Sequence, residues 1–152
     1  MRQMVFVALT YVISMYGAAS SAKQSDLIPW KNPSMKEGQT LVVQAWASWC
    51  ASCSTILPKV HQLVSSMPSV TFATASIDDD ADDARGYCRK NSEMFVKHDL
   101  SVFWDQAGKA LLTYDVKTVP ATLIFSGPND RRPQIFYGFD GAALEKALAR
   151  SH

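Results

Sequence analysis

Cys50 and Cys53, two cysteines three residues apart, are the side chains of this sequence best suited to chemistry. A thiolate attacks sulfur and binds soft metals. A Cys-x-x-Cys pair therefore serves dithiol–disulfide exchange, half of a zinc site, or a Cu(I) clamp. Position discriminates among these. The pair follows the apolar run Leu41-Val42-Val43-Gln44-Ala45-Trp46, whose β-branched and aromatic content reads as a strand buried on both faces. After it, Cys53, Ile56, Leu57, Val60, Leu63 and Val64 recur at three- and four-residue spacing and give a helix one apolar face, with Pro58 predicting a kink. A strand running into a helix sets Cys50 where free N–H groups and the helix dipole stabilise a thiolate. Cys50 is then the attacking thiol. Cys53, one turn later and inward, is the resolving thiol, and Trp49 covers one side of the site with a flat apolar surface.

A zinc site needs four ligands, and the chain has three cysteines; Cys88 with His61 or His98 would have to complete the set. The helix position already accounts for the pair, so no metal ligands are assigned and no cofactor is expected beyond the Cys50–Cys53 couple. Two readings from other classes stay open: a Cu(I)-binding chaperone using the two thiolates, and a binding module whose disulfide is only structural.

The elements that must hold the pair follow from periodicity. Residues 23–39 are polar and turn-rich, with Pro29, Pro33 and Gly38, and read as a lead-in to a domain over 40–152. Residues 70–77 and 100–104 read as further strands, and 122–125 with 134–137 as a hairpin turned by Gly127-Pro128-Asn129-Asp130. The acidic cluster from Asp78 to Asp83 fits a solvated helix start, and Ala84, Tyr87, Cys88, Asn91 and Phe95 trace the inward face of that helix. Residues 108–114 form a short helix and 141–150 a closing amphipathic one. The fold class is α/β, a mixed central sheet flanked by helices.

Composition excludes more than it assigns. The 152 residues suit one domain, and 47% apolar content fills one core. Fifteen basic and fourteen acidic residues, without a basic run, exclude a nucleic-acid groove. The N-terminus is more informative. Met1-Arg2-Gln3, an uncharged apolar stretch from Met4 to Tyr16, and Gly17-Ala18-Ala19-Ser20-Ser21-Ala22 have the three parts of a secretory signal over residues 1–22. Cleavage after Ala19 or Ala22 would leave a periplasmic or secreted domain, in a compartment where thiols cycle through disulfides. An uncleaved anchor is the alternative, although the stretch falls short of the roughly 20 residues that span a bilayer.

The segment Trp46-Ala47-Ser48-Trp49-Cys50-Ala51-Ser52-Cys53 resembles the active-site segment of the thioredoxin superfamily, especially its exported TlpA/ResA-like branch. Val119-Pro120-Ala121-Thr122 resembles that superfamily's cis-proline loop. The resemblance spans roughly residues 40–150 and implies a thioredoxin-like fold with a TlpA-like helix–strand insertion between Asp78 and Tyr114. It implies that Val119–Pro120 is a cis bond facing the cysteines and binding substrate backbone. It also implies a monomeric thiol:disulfide oxidoreductase that reduces protein disulfides and is recharged by a membrane thiol donor such as a DsbD-like protein. The nearest rival keeps the fold and reverses the electron flow, as a thiol oxidase or isomerase.

Two departures concern proton transfer. Where thioredoxins carry a buried Asp, six residues before the first Cys, this chain has Gln44; where TlpA-like reductases carry a Glu after the second Cys, it has Ile56. Neither takes a proton, which leaves water or a carboxylate such as Glu93 to serve Cys53. The inner pair Ala51-Ser52 has neither the Pro of reductases nor the His of strongly oxidising sites. Among the other candidates, Cys88 is expected to be a small buried hydrophobe. His61 and His98 are expected at the surface, and Arg131-Arg132 as solvated charge at a hairpin tip. Trp30, Trp46 and Trp104 are expected to pack in the core or the lead-in.

Overall fold

The computed structural model describes residues 27–31 and 35–151. The signal-like segment 1–22 lies outside the described residues, as do residues 23–26, 32–34 and 152.

The order of elements is β1 (Ile28–Pro29), β2 (Thr40–Trp46), α1 (Cys53–Val64), β3 (Val70–Ser76), α2 (Ala81–Lys90), α3 (Ser92–Phe95), β4 (Val102–Trp104), α4 (Lys109–Leu112), β5 (Ala121–Phe125), β6 (Gln134–Tyr137) and α5 (Gly141–Ala149). The strands form one sheet in the order β1-β4-β3-β2-β5-β6. β1, β4, β3 and β2 pair in parallel, and β5 runs antiparallel to both β2 and β6. This is the expected mixed sheet, with β2 at its centre and buried along its whole length.

Strand alternation explains the two layers. Val42 and Ile124 pair in register and meet Val60 and Val64 of α1 and Leu144, Ala147 and Leu148 of α5. Val43, Ala45 and Leu123 join the other apolar cluster, with Ala84 and Cys88 of α2, Phe95 of α3 and Leu111 of α4. Cys53 and Leu57 at the start of α1 belong to this cluster as well, so the active-site helix packs into both. Helix α1 runs as 12 continuous residues through Pro58. Asp140 caps α5, its carboxylate accepting from the Ala143 N–H at 3.0 Å.

Three elements differ from the periodicity. The inward face expected on one helix from Ala84 to Phe95 is divided between α2 and α3. Asn91 leaves helical geometry (φ −110°, ψ 34°), and its side-chain amide donates to the Tyr87 carbonyl at 2.9 Å, competing with the backbone ladder. The helix expected over 108–114 is a 3₁₀ turn, Gln106–Gly108, followed by α4. Ala107 and Gly108 take positive φ there (58° and 65°), while the buried Asp105 carboxylate accepts from the N–H groups of Ala110 and Leu111. Within the lead-in, Ile28 and Pro29 add a parallel edge strand beside Phe103 and Trp104, and Trp30 packs edge-on against Phe103. Two residues carry no periodicity, and a proline belongs on an edge, where no ladder partner needs its N–H.

Candidate active site

Strand β2 ends at Trp46, and the chain turns before entering α1. The Cys50 N–H donates to the Ala47 carbonyl at 3.1 Å, and the Cys53 N–H to the Cys50 carbonyl at 3.2 Å. The helix begins at Cys53, so Cys50 lies in the turn before α1 rather than in its first turn. Cys50 and Cys53 form a disulfide. Both are in the main apolar cluster, yet they differ in access: Cys50 is 7% exposed and Cys53 only 1%. Cys50 is thus the less enclosed residue of the pair. Trp49, at 67% exposed, is the most exposed large apolar side chain among the described residues.

The Val119–Pro120 peptide is cis. Val119 is buried and shares the apolar cluster with Cys50, Cys53 and Ala121. Pro120 is half-buried at the head of β5, and its carbonyl accepts from the Gly138 N–H at 3.1 Å. The residues expected at the site thus gather at one end of the central strands.

Gln44 is fully buried, and its side-chain oxygen accepts from the Thr122 hydroxyl at 2.7 Å. The strand register places these two residues opposite each other, so the amide is held by a hydrogen-bond partner and not by a charge. Ile56 packs with the second apolar cluster. Glu93, considered above as an acceptor for Cys53, is a correction: its side chain is 88% exposed and pairs with Lys97 on the surface of α3, whereas Cys53 is sealed in the core.

One residue at the site was misread from the sequence. Asp78, grouped with the solvated acidic cluster, is 1% exposed. Its carboxylate accepts from the Ser48 N–H (3.0 and 3.1 Å to its two oxygens), from the Ser48 hydroxyl (2.7 Å) and from the Ser76 hydroxyl (2.7 Å). The cluster divides here, because α2 starts only at Ala81, with Asp80 as its cap accepting from Asp82. The usable signal was the continuation of β3, where Ser76 and Asp78 stand two residues apart and face the same side.

Cys88 is buried and free, as expected, and burial, reinforced by the charge of Asp78, pushes its thiol up to about 12. Trp46 is fully buried, stacked on Tyr87 with ring centroids 4.6 Å apart; burial raises the Tyr87 phenol above its usual range. Trp30 and Trp104 are both partly buried against the core. His61 and His98, expected separately at the surface, are brought together with ring centroids 4.4 Å apart, and His61 also meets Phe72. Partial burial, then the neighbouring His98, lowers the His61 pKa. Arg131 and Arg132 are exposed beyond β5, as expected. Among the described residues no group of three or more His, Cys, Asp or Glu side chains could hold a metal ion.

The sequence matches the model of a family described as thioredoxin-like over residues 38–131. A curated relative, a thioredoxin H-type from Fagopyrum esculentum, is 38% identical over 59 residues, covering 39% of this chain and 51% of its own length. The chain thus spans about half the length of the curated relatives it matches. Among solved structures, MTB dsbF superposes with a TM-score of 0.60 at 22% identity, covering 76% of this chain and 83% of that one. A secreted Mycobacterium tuberculosis disulfide oxidoreductase, homologous to E. coli DsbE, gives 0.55 at 19%, covering 75% and 83%. At such identities the two structures share the fold.

Proposed function

Since the chain belongs to the thioredoxin-like family, we propose that it is an exported thiol:disulfide oxidoreductase acting through Cys50 and Cys53. The observation that carries this reading is a Cys50–Cys53 disulfide between the end of β2 and the start of α1, Cys50 the less enclosed of the two residues (7% against 1% exposed), sharing one apolar cluster with the cis-bonded Val119.

In the reducing direction, the Cys50 thiolate attacks a substrate disulfide. A mixed disulfide forms and one substrate thiolate leaves. Cys53 then loses its proton and attacks the Cys50 sulfur, which closes the Cys50–Cys53 disulfide and releases the second substrate thiolate. Two electrons pass to the substrate, and a dithiol donor returns the pair to its reduced form. Gln44 and Ile56 take no proton, so the proton of Cys53 leaves to water. Trp49, Val119 and Pro120 form the surface on which the substrate polypeptide rests. The signal-like segment 1–22 and the secreted relative support a periplasmic or secreted location, with a membrane thiol donor as the reductant and protein disulfides as substrates. The protein works as a monomer with its own cysteines as the only redox group.

The test is a redox titration of the purified protein, with the thiol state of the Cys50–Cys53 pair read by alkylation and mass. A reversible two-electron midpoint near the roughly −270 mV of thioredoxin is expected. A midpoint near the roughly −120 mV of DsbA would reverse the proposed direction of electron flow. A pair that does not cycle would overturn the reading.

A further inference from the structure

Asp78 is a buried carboxylate for which the exchange reaction as described has no use. A charge in a protein interior is costly unless fully hydrogen-bonded, and this one accepts from three donor groups. Two of the three belong to Ser48, two residues before Cys50. The peptide unit between Ala47 and Ser48 is thereby held at both ends. Its carbonyl oxygen accepts from the Cys50 N–H at 3.1 Å, and its N–H donates to Asp78 at 3.0 Å. Rotation of this one peptide plane breaks both bonds together.

The Asp78 side is itself anchored. The Asp78 N–H donates to the Ser76 hydroxyl at 3.1 Å, and that hydroxyl donates to the Asp78 carboxylate. The Asp78 carbonyl accepts from the Trp104 indole N–H at 2.9 Å. Ser76 ends β3 and Trp104 ends β4, so Asp78 is tied to two adjacent strands, through its side chain to one and through its backbone to the other.

We propose that Asp78 is a positioning residue for Cys50: through Ser48 it fixes the Ala47–Cys50 turn against the sheet and keeps the reactive sulfur at the entrance to helix α1. The proposal rests on the reading of Cys50 as the attacking thiol. Two influences of the carboxylate on Cys50 have opposite signs. Its negative charge disfavours a nearby thiolate, as it does at Cys88 and Tyr87. Its hold on the turn favours the thiolate, by keeping the sulfur next to the helix N-terminus. Removing the carboxylate charge therefore lowers the Cys50 titration midpoint if charge dominates, and raises it if positioning dominates.

The experiment is the pH profile of Cys50 alkylation in the reduced, purified protein. Cys50, Cys53 and Cys88 are resolved by peptide mass, and Ser48→Ala, Ser48→Thr and Asp78→Asn are compared with wild type. Ser48→Ala removes one hydroxyl bond and leaves the charge. Asp78→Asn removes the charge and leaves one donor facing another. The expected result is a midpoint moved toward the roughly 8.5 of free cysteine in both Ser48→Ala and Asp78→Asn. Alkylation of Cys50 at pH 6 then slows about threefold in Ser48→Ala and about tenfold in Asp78→Asn, while Ser48→Thr behaves as wild type. A wild-type profile in Ser48→Ala, or a lowered midpoint in Asp78→Asn, overturns the proposal. If Asp78→Asn does not fold, the two Ser48 variants decide. Alkylation needs no exchange partner, so failure of the oxidoreductase reading, seen as a wild-type pair that does not cycle, is distinguishable from failure of this proposal.

Discussion

Reducing the Cys50–Cys53 disulfide is expected to lower the melting temperature, by an amount the loop length sets. The bridge closes a loop from Cys50 to Cys53, at a sequence separation of three. For a loop this short the chain-entropy model gives about 2 kcal/mol of stabilisation, through restriction of the unfolded chain. Reduction returns part of this, because the Cys50 thiolate gains about 0.3–1 kcal/mol from the helix N-terminus in the folded state. The oxidised form is then favoured by about 1 kcal/mol, or about 4 °C in a chain of this size. Folding favours the disulfide over the dithiol by that same free energy, so the pair is held about 20 mV below an unstructured dithiol. Calorimetry of oxidised and dithiothreitol-treated protein measures the difference, and a Cys50→Ser/Cys53→Ser double variant measures any effect of the reductant itself. Cys88 does not confuse the result, since it is free in both forms. A reduced form that melts at or above the oxidised one would refute the reasoning. It would mean that the fold favours the thiolate over the closed loop, which makes the pair an oxidant.

Three further outcomes are expected. Gln44→Ala leaves the buried Thr122 hydroxyl without its acceptor and opens a cavity, so it should cost about 2–4 kcal/mol in urea unfolding with an unchanged m-value. Cys88, with its thiol raised to about 12, should resist iodoacetamide at pH 8 in the folded protein and react fully in denaturant; labelling of folded protein would show that α2 opens readily. The lowered folded-state pKa of His61 means that the unfolded chain binds the proton more tightly, so stability falls as pH drops below the ordinary histidine value of 6.5. Because the neighbouring charge of His98 contributes to that shift, His98→Asn should flatten the decline in melting temperature between pH 7 and 5, and an unchanged slope would remove the pair as its cause.

The sequence was most legible where local pattern and tertiary environment agree. β2 reads as buried because every residue from Thr40 to Trp46 is covered on both faces, and a continuous apolar run records that directly. α1 reads correctly because Cys53, Leu57, Val60 and Val64, its buried residues, repeat at helical spacing. The cysteine pair was singled out by residue type and spacing and the Val119-Pro120 segment by its resemblance to a known loop, and the fold brings Cys50, Cys53 and Val119 into one apolar cluster. Asp78 was misread because an aspartate in a run of aspartates looks solvated. Only the arrival of Ser48, thirty residues away in the chain, makes it a buried acceptor.

What the sequence alone determined is therefore the set of short-range facts: which segments have an apolar face, where a thiol pair meets a helix start, and that Gln44 and Ile56 near that pair carry no titrating group. The tertiary structure decided the pairings between distant segments. It set Gln44 against Thr122, Ser48 against Asp78, His61 beside His98, and Glu93 on the surface away from Cys53. The physical reason is that burial of a polar group is settled by its partners. Hydrophobic periodicity is written along the chain, whereas the donor that stabilises a buried carboxylate or amide comes from another strand or loop, and no local pattern records which one.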